Sequence, residues 1–311
     1  MPSLHPWVLG CMLAAAGVAT QAHGPAPNGP APAAAPMLQL GDGKFSAGPK
    51  RDHVVACDTH FPGGGGAHRK GEWIGKGLWT RQGKPIVEGD VAWPNAQISV
   101  TREGDLRVVR ANSLPKHATG EFPVRAGSRA YAYDRNPNRI REQAVLLRLP
   151  AAPTPSATPA CVPMGMIGFA LSGVAIFNAF DLQGRDAPAY EIQDKCSGHP
   201  EIGGRYHYHD WSGCMDDPAG QAGRHSSLAG YMLDGFPIYG PRGEGGRQLR
   251  NRDLDACHGH RHAIEIDGRK QQGYHYHFTA EFPYTIGCFR GTPVAAPRMP
   301  RPPRMPPPPA G

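Results

Sequence analysis

Two short segments with the sequence Tyr-His-Tyr-His carry the residues best suited to chemistry. They are Tyr206-His207-Tyr208-His209 and Tyr274-His275-Tyr276-His277. Alternating aromatic residues favour an extended strand, in which successive side chains point to opposite faces. The two histidines of each segment then share one face, and the two tyrosines share the other. Paired imidazoles of this kind offer nitrogen ligands to a transition metal ion.

Further candidate ligands lie near these segments. A Cys-x-Gly-His motif precedes each segment and adds one histidine to each set. If the two regions pack face to face, six imidazoles converge, namely those of His199, His207, His209, His260, His275 and His277. Asp234 is a further candidate, either as a carboxylate ligand or as an acceptor that orients an imidazole. His258 and His262 are expected to be peripheral, and His225 is expected in a surface turn.

The nature of these donors favours copper, with zinc as the next choice. No cysteine belongs to a Cys-x-x-Cys pair, so a thiolate zinc site is not indicated. Nitrogen ligands bind copper more tightly than zinc. The first hypothesis is therefore an exported metal-binding protein. The simplest alternative for the same residues is a metal-free, buried hydrogen-bond network in which tyrosine hydroxyls and imidazoles satisfy loop backbone.

Two other function classes stay open at this point. A metal-dependent extracellular hydrolase or oxidase requires an open coordination position, and the chain contains no serine elbow, His-Glu-x-x-His helix or phosphate loop. A metal-free adhesion or carbohydrate-binding module requires an exposed aromatic platform. The candidates for such a platform are Trp73, Trp79, Trp93 and Trp211.

The same motifs occur twice and in the same order, which predicts an internal duplication. The first copy covers about residues 165–214 and the second about residues 228–288. The motifs that recur are Leu-x-Gly-x-x-Ile-aromatic, Cys-x-Gly-His, Tyr-His-Tyr-His and a closing Gly-Cys. We expect the two copies to form a pseudo-symmetric pair, with each glycine of the first motif in a tight turn between two short strands.

The amino-terminal region and the cysteines indicate export. Residues 1–22 resemble a signal peptide, with an apolar run from Trp7 to Ala19 and small residues before a cut after Ala22. No later segment approaches the ~20 apolar residues of a membrane span. The mature chain retains an even set of cysteines, which predicts up to three disulfides: Cys57, Cys161, Cys196, Cys214, Cys257 and Cys288. We expect a periplasmic or secreted protein.

Composition divides the rest of the chain into one domain and two tails. The chain contains 41 glycines and 34 prolines, which favours strands, turns and ordered loops over helices. Residues 23–43 are expected to form a disordered Pro/Ala/Gly linker, and residues 291–311 a disordered Pro/Arg-rich tail. Residues 44–290 are expected to form a mainly β, loop-rich domain supported by disulfides. Ile98, Leu106 and Ala144 begin alternating stretches that predict further strands.

The net charge of +7 is spread over a chain with mixed charge signs. No stripe of lysine and arginine with interleaved aromatic residues is present, so a nucleic-acid partner is not indicated. The expected partner is a metal ion.

Most of the chain from about residue 72 to residue 290 resembles the YHYH-domain family of secreted and periplasmic proteins. Both Tyr-His-Tyr-His copies, the Leu-x-Gly turns, Asn136-Pro137-Asn138 and the segment from Gly230 to Gly240 carry the resemblance. The resemblance implies an exported protein and places residues 72–160 in the same domain as the duplicated core. It implies no activity.

Overall fold

A computed structural model describes residues 36–296 of the chain. These residues form a mainly β fold with three sheets and three disulfides, which confirms the predicted fold class. The predicted signal peptide, most of the linker and most of the carboxy-terminal tail lie outside the described residues.

Two small sheets are formed by the first part of the domain. The first has the order β1-β3-β2 and contains β1 (Leu38–Gln39), β2 (Ile74–Gly75) and β3 (Leu78–Trp79). The second is the antiparallel meander β4 (Ile98–Glu103), β5 (Leu106–Ala111) and β6 (Val145–Pro150). The strands predicted at Ile98, Leu106 and Ala144 are confirmed. The folded region begins earlier than the predicted linker boundary, because Leu38 is buried in β1 and the Gly41 amide donates to the buried Asp186 carboxylate.

The main sheet contains eight strands and positions the histidines. Its members are β7 (Met166–Ala170), β8 (Ala175–Phe177), β9 (Gly198–Pro200), β10 (Tyr206–Tyr208), β11 (Leu228–Met232), β12 (Pro237–Tyr239), β13 (Gly259–Ile266) and β14 (Arg269–His277). The spatial order is β13-β14-β12-β11-β7-β8-β10-β9. The first Tyr-His-Tyr-His segment therefore lies toward one edge of the sheet, and the second lies toward the other.

The two halves of this sheet have the same strand pairing. In the first half, β8 and β10 are parallel with Ile176 opposite Tyr208. In the second half, β12 and β14 are parallel with Ile238 opposite Tyr276. The halves meet where β7 and β11 run antiparallel. The origin of this correspondence in a gene duplication stays a prediction.

A glycine makes the tight turn in the middle of each half. Gly173 joins β7 to β8 with a φ of 87°, and Gly235 joins β11 to β12 with a φ of 86°. A Cβ atom at these positions would lie 2.6 Å from the Leu114 carbonyl oxygen and 2.5 Å from the Pro150 carbonyl oxygen, respectively. Glycine is required because other residues rarely adopt this conformation and because no side chain fits.

Each half of the main sheet also has its own disulfide. Cys196 pairs with Cys214 in the first half, and Cys257 pairs with Cys288 in the second. The third disulfide joins Cys57 to Cys161. The prediction of three disulfides from these six cysteines is confirmed, and the structure selects one of the pairings that the spacing left open.

The described helices are short. The α-helices are α1 (Ala187–Tyr190) and α2 (Pro218–Gln221), and 3₁₀ turns occur at Ala130–Ala132, Glu244–Gly246 and Asn251–Asp253. In residues 36–296, no helix has the length and apolar character needed to cross a membrane. The α-helices still position the site, because Glu191 directly follows α1 and His225 lies in the loop after α2.

Candidate metal centres

Strand pairing brings the predicted histidines together in pairs. His199 on β9 lies opposite His207 on β10, and His260 on β13 lies opposite His275 on β14. His209 and His277 each follow two residues later, on the same face as the preceding histidine. An aromatic ring packs beside each pair: Phe177 stacks on His207 with 3.9 Å between ring centroids. Tyr239 contacts His275 at 5.2 Å.

The larger of two histidine groups lies in the second half of the sheet. Its candidate ligand atoms all lie within 4.8 Å of one another and belong to His225, His260, His262, His275 and His277. The last three histidines are buried, whereas His225 and His260 are half-buried. We call this set the five-histidine group.

Backbone carbonyls orient four of the imidazoles of the five-histidine group. The Nδ1 atoms of His275 and His277 lie 3.1 Å and 2.6 Å from the carbonyl oxygens of Gly273 and Gly240. His225 and His262 make the same kind of contact with the residues that follow them. A carbonyl oxygen only accepts hydrogen bonds, so Nδ1 carries the proton in each case. The Nε2 lone pairs then point into the group.

The Nε2 atoms of all five histidines are buried and have no hydrogen-bond partner among the described residues. Leaving one buried polar atom unpaired costs about 1–3 kcal/mol. Five such atoms in one place are expensive unless a ligand satisfies them. Convergent, unpaired nitrogen lone pairs are the arrangement that a transition metal ion requires.

Burial favours the neutral form of four imidazoles in this group. Together with the neighbouring imidazoles, it lowers the pKa of His275 to about 2 and the pKa of His260 to about 4. Burial also lowers the pKa of His277 well below its ordinary value and lowers that of His225. Neutral imidazole is the form that binds a metal ion, and these four side chains are in that form at neutral pH.

The smaller group lies in the first half of the sheet and includes a carboxylate. The ligand atoms of His199, His207 and His209 lie within 4.8 Å of one another, and all three side chains are buried. Glu191 Oε2 lies 3.4 Å from His199 Nε2 and 3.2 Å from His209 Nε2. His207 Nε2 lies 3.1 Å from His209 Nε2. We call these four residues the His-Glu group.

The His-Glu group repeats the carbonyl contacts of the five-histidine group. His207 Nδ1 lies 3.1 Å from the Arg205 carbonyl oxygen, two residues earlier, as His275 does with Gly273. His209 Nδ1 contacts the Asn178 carbonyl oxygen, just as His277 contacts Gly240. The Nε2 atoms again face the centre of the group.

Glu191 changes the electrostatics of its group. Burial lowers the pKa of His199 to about 4 and that of His207 well below its ordinary value. Burial also opposes a charge on His209, but the contacts with Glu191 outweigh it and raise the pKa of His209. Burial opposes the Glu191 charge as well, yet His199 and His209 hold the pKa of this carboxyl below its ordinary value.

The expected convergence of six histidines on one centre is wrong. Three of them belong to each group, and four strands separate β10 from β14 in the sheet. With about 4.8 Å between neighbouring strands, the two groups lie about 24 Å apart along the sheet. The reason is that the two halves pack side by side in one sheet rather than face to face.

Asp234 is not part of either group. Its carboxylate accepts hydrogen bonds from the Tyr276 hydroxyl at 2.7 Å and from the Gly291 amide at 3.0 Å. The expectation that Asp234 binds metal or an imidazole is corrected: it supports the tyrosine face of the strand. Two other tyrosines of the motifs behave alike, since Asp194 accepts from Tyr206 and Asp255 accepts from Tyr274. Part of the hydrogen-bond network predicted as an alternative is therefore present: tyrosine hydroxyls donate to carboxylates, and imidazole Nδ1 atoms donate to backbone carbonyls.

The three histidines that were expected to lie outside the metal site are only partly as predicted. His258 is peripheral as predicted, because Nδ1 contacts the His277 carbonyl oxygen and Nε2 contacts Asn251 Oδ1. His262 and His225 are corrections, since both belong to the five-histidine group. The alternation of His260 and His262 on one strand could have identified His262. His225 and Glu191 lie outside the main strands and had no local signal.

A third cluster contains His117, Cys196 and Cys214. The two sulfur atoms are bonded to each other, and His117 Nε2 contacts the Tyr208 hydroxyl. This cluster therefore does not offer free ligands.

Comparison with known proteins identifies one family. Residues 146–248 match the family described as YHYH protein, and this segment contains β7 to β12 and the first Tyr-His-Tyr-His copy. No curated protein and no solved structure matches the chain. The resemblance to the YHYH family is thereby confirmed over residues 146–248.

Proposed function

We propose that this protein binds a transition metal ion, copper in preference to zinc, at the five-histidine group, and that it does so outside the cytoplasm. The observation that supports the proposal most directly is the convergence of five buried, unpaired Nε2 atoms. The carbonyl contacts at Nδ1 support it further, because metal-binding histidines typically donate their second ring nitrogen to a carbonyl or carboxylate.

The dimensions of the group suit a single ion. Metal–nitrogen bonds of about 2.0–2.1 Å place two opposite ligands at most about 4.2 Å apart. The ligand atoms lie within 4.8 Å of one another, so shifts of a few tenths of an ångström bring several onto one ion. Adjacent imidazoles on β13 and β14 supply most of the ligands, and His225 completes the set from a loop.

The donor set and the cysteines support copper over zinc. Every donor in the group is an imidazole nitrogen, and all six cysteines of the described region are paired in disulfides. Nitrogen sites follow the affinity order in which copper exceeds zinc. The disulfides also support export, because they persist in oxidising compartments.

Copper titration of the purified protein tests this proposal. The His275→Ala/His277→Ala variant is expected to lose at least about a hundredfold in copper affinity, because two ligands disappear. The exposed pair His60→Ala/His68→Ala is the matched control and should bind as the parent does. Circular dichroism checks folding, and His225→Ala/His262→Ala provides a second variant nearer the surface. Unchanged copper affinity in both folded variants would exclude the five-histidine group.

A catalytic version of this function is the second candidate. His225 and His260 are half-buried, so this group lies closer to the surface than the His-Glu group, and an ion there can retain an exchangeable position. Such a position is required of a metal-dependent hydrolase or oxidase. Addition of azide to the copper-loaded protein tests it, because an open position changes the copper absorption and spin-resonance spectra. Identical spectra with and without azide would argue for a closed binding site.

The adhesion alternative lacks the surface that it needs. Trp73 and Trp79 are core residues, and their side chains are 5% and 0% exposed. Trp93 and Trp211 are partly buried and contact Thr119 and Phe278. The four tryptophans therefore form no exposed platform.

A further inference from the structure

The His-Glu group has the spacing of a tetrahedral metal complex. Three pairs of donor atoms lie close together. The separations are 3.1 Å for His207 Nε2–His209 Nε2, 3.2 Å for Glu191 Oε2–His209 Nε2 and 3.4 Å for Glu191 Oε2–His199 Nε2. In a tetrahedron with bonds of about 2.0–2.1 Å, neighbouring ligand atoms are about 3.3–3.4 Å apart. The three contacts therefore have the length of tetrahedral edges.

Hydrogen bonding within the protein explains only part of these contacts. His207 and His209 both use Nδ1 toward a backbone carbonyl, so their Nε2 lone pairs face each other at 3.1 Å. A proton on one of them or a metal ion between them offsets this repulsion. One proton on His209 would satisfy a single contact. It would leave His199 with both ring nitrogens unpaired in the interior, and these atoms have no hydrogen-bond partner among the described residues. A metal ion would bind one donor atom from each of the four side chains at once.

Burial distinguishes this group from the five-histidine group. The three histidines are each 3% exposed, and the Glu191 side chain is 14% exposed. Glu191 is held at the end of α1, where its amide donates to the Ala187 carbonyl oxygen. His199 lies three residues after Cys196, whose disulfide to Cys214 closes this half of the sheet. Three imidazoles and one carboxylate fill the coordination shell and leave no open side.

We propose that Glu191, His199, His207 and His209 form a second, closed site that holds one zinc ion in tetrahedral coordination and stabilises the first half of the sheet. Zinc suits three nitrogens and one carboxylate oxygen at these spacings, and structural zinc sites are characteristically four-coordinate and closed. The carboxylate also offsets part of the ion's charge in the interior. This inference does not rest on the function proposed for the five-histidine group.

Zinc retention by the His275→Ala/His277→Ala variant tests the His-Glu group alone, because the variant lacks two ligands of the five-histidine group. After dialysis against a chelator under native conditions, this variant is expected to keep about one zinc ion per chain. Adding Glu191→Gln removes the anionic ligand with little change of shape and should abolish retention. Glu88→Gln, which changes an exposed glutamate, is the matched control and should retain zinc. Elemental analysis gives the stoichiometry.

Cobalt substitution provides a readout that does not depend on the folding of a variant. The unaltered chain, refolded with Co²⁺ in place of zinc, should show the intense visible bands of a four-coordinate ion. X-ray absorption of the zinc form should show four nitrogen or oxygen neighbours at about 2.0 Å. A chain without zinc and without such cobalt bands, or equal retention in Glu191→Gln, would overturn the proposal. Loss of copper binding alone would leave it standing.

Discussion

The two halves of the main sheet use one strand arrangement to build two different sites. In both halves, a histidine on the outer strand lies opposite a histidine on the next strand, and a third follows two residues later. In both, backbone carbonyls bind Nδ1 and turn Nε2 inward. The strands therefore determine the three-histidine set, and the residues added to it differ.

Loops and strand lengths account for the difference. The first half adds Glu191 from the end of α1 and is closed. The second half has the longer hairpin of β13 and β14, which adds His262, and its loop after α2 adds His225. At the position that corresponds to His262, the first half has Glu201, which accepts from the Gly203 and Arg205 amides. Residues added to the shared strand arrangement thus distinguish the His-Glu group, which includes a carboxylate, from the five-histidine group, which has only imidazoles.

Disulfide removal should give the largest loss in the free energy of unfolding. The size of the loss shows which half of the main sheet depends more on its disulfide. The chain separations are 104 residues for Cys57–Cys161, 31 for Cys257–Cys288 and 18 for Cys196–Cys214. Loop-closure entropy predicts losses of about 5, 4 and 3 kcal/mol, respectively, in the free energy of unfolding. Urea unfolding of the three Cys→Ser double variants measures them. A larger loss for Cys196–Cys214 than for Cys257–Cys288 would show that the first half depends more on its cross-link.

Acid should weaken the second half of the metal-free protein more than the first. The pKa of buried His275 is about 2, against about 6.5 in the unfolded chain, so only the unfolded state gains this proton as the pH falls below 6.5. Its share of stability is full above pH 6.5, and about 2–3 kcal/mol of it is lost between pH 7 and pH 4.5. The contribution of His209 to stability depends on pH in the opposite direction. Its raised pKa gives stability that is present below pH 6.5 and lost as the pH rises through the folded pKa.

Imidazole NMR titration of the metal-free protein checks these signs residue by residue. His275 should remain neutral down to the acid transition, whereas His209 should titrate above the ordinary histidine range. Exposed His60 serves as an internal reference. Protonation of His275 near pH 6 would contradict the assignment of a buried, neutral group.

Removal of a tyrosine hydroxyl should have a smaller effect on stability, and this effect should differ between the two halves. The Tyr276 hydroxyl donates to the buried Asp234 carboxylate, whereas the Tyr208 hydroxyl contacts His117 and Ser172. Tyr276→Phe removes a partner from a buried charged group and should cost about 1–3 kcal/mol. Tyr208→Phe should cost less, because its partners are uncharged or partly exposed. Chemical denaturation of the two variants compares them, and an equal cost would mean that the Asp234 charge is not decisive.

The smallest expected effect concerns the residues at the open side of the five-histidine group. His225→Ala should lower copper affinity by about tenfold, equivalent to about 1.4 kcal/mol, because three or more imidazoles remain. Glu244→Gln should have no measurable effect, since its side chain is 72% exposed and lies 3.6 Å from His262 Nδ1. Competition titration with a copper chelator measures both. A larger loss in Glu244→Gln than in His225→Ala would place the ion outside the group.

Local patterns in the sequence determined the parts of this protein that depend on near neighbours. The alternation in Tyr-His-Tyr-His placed the histidines on one strand face, because side chains alternate along any strand. Gly173 and Gly235 marked tight turns, because few other residues adopt a positive φ. The even set of cysteines predicted three disulfides, and glycine and proline content predicted a mainly β fold.

Only the tertiary structure decided which histidines meet and which residues join them. The order of strands in the sheet placed the two halves side by side, so the six histidines formed two groups rather than one. Glu191 and His225 reach their groups from segments whose own sequence shows no period or motif, and Asp234 turned to the tyrosine face. Contacts of this kind depend on chain paths that are set by packing over the whole domain. A pattern that repeats every two residues carries no information about them.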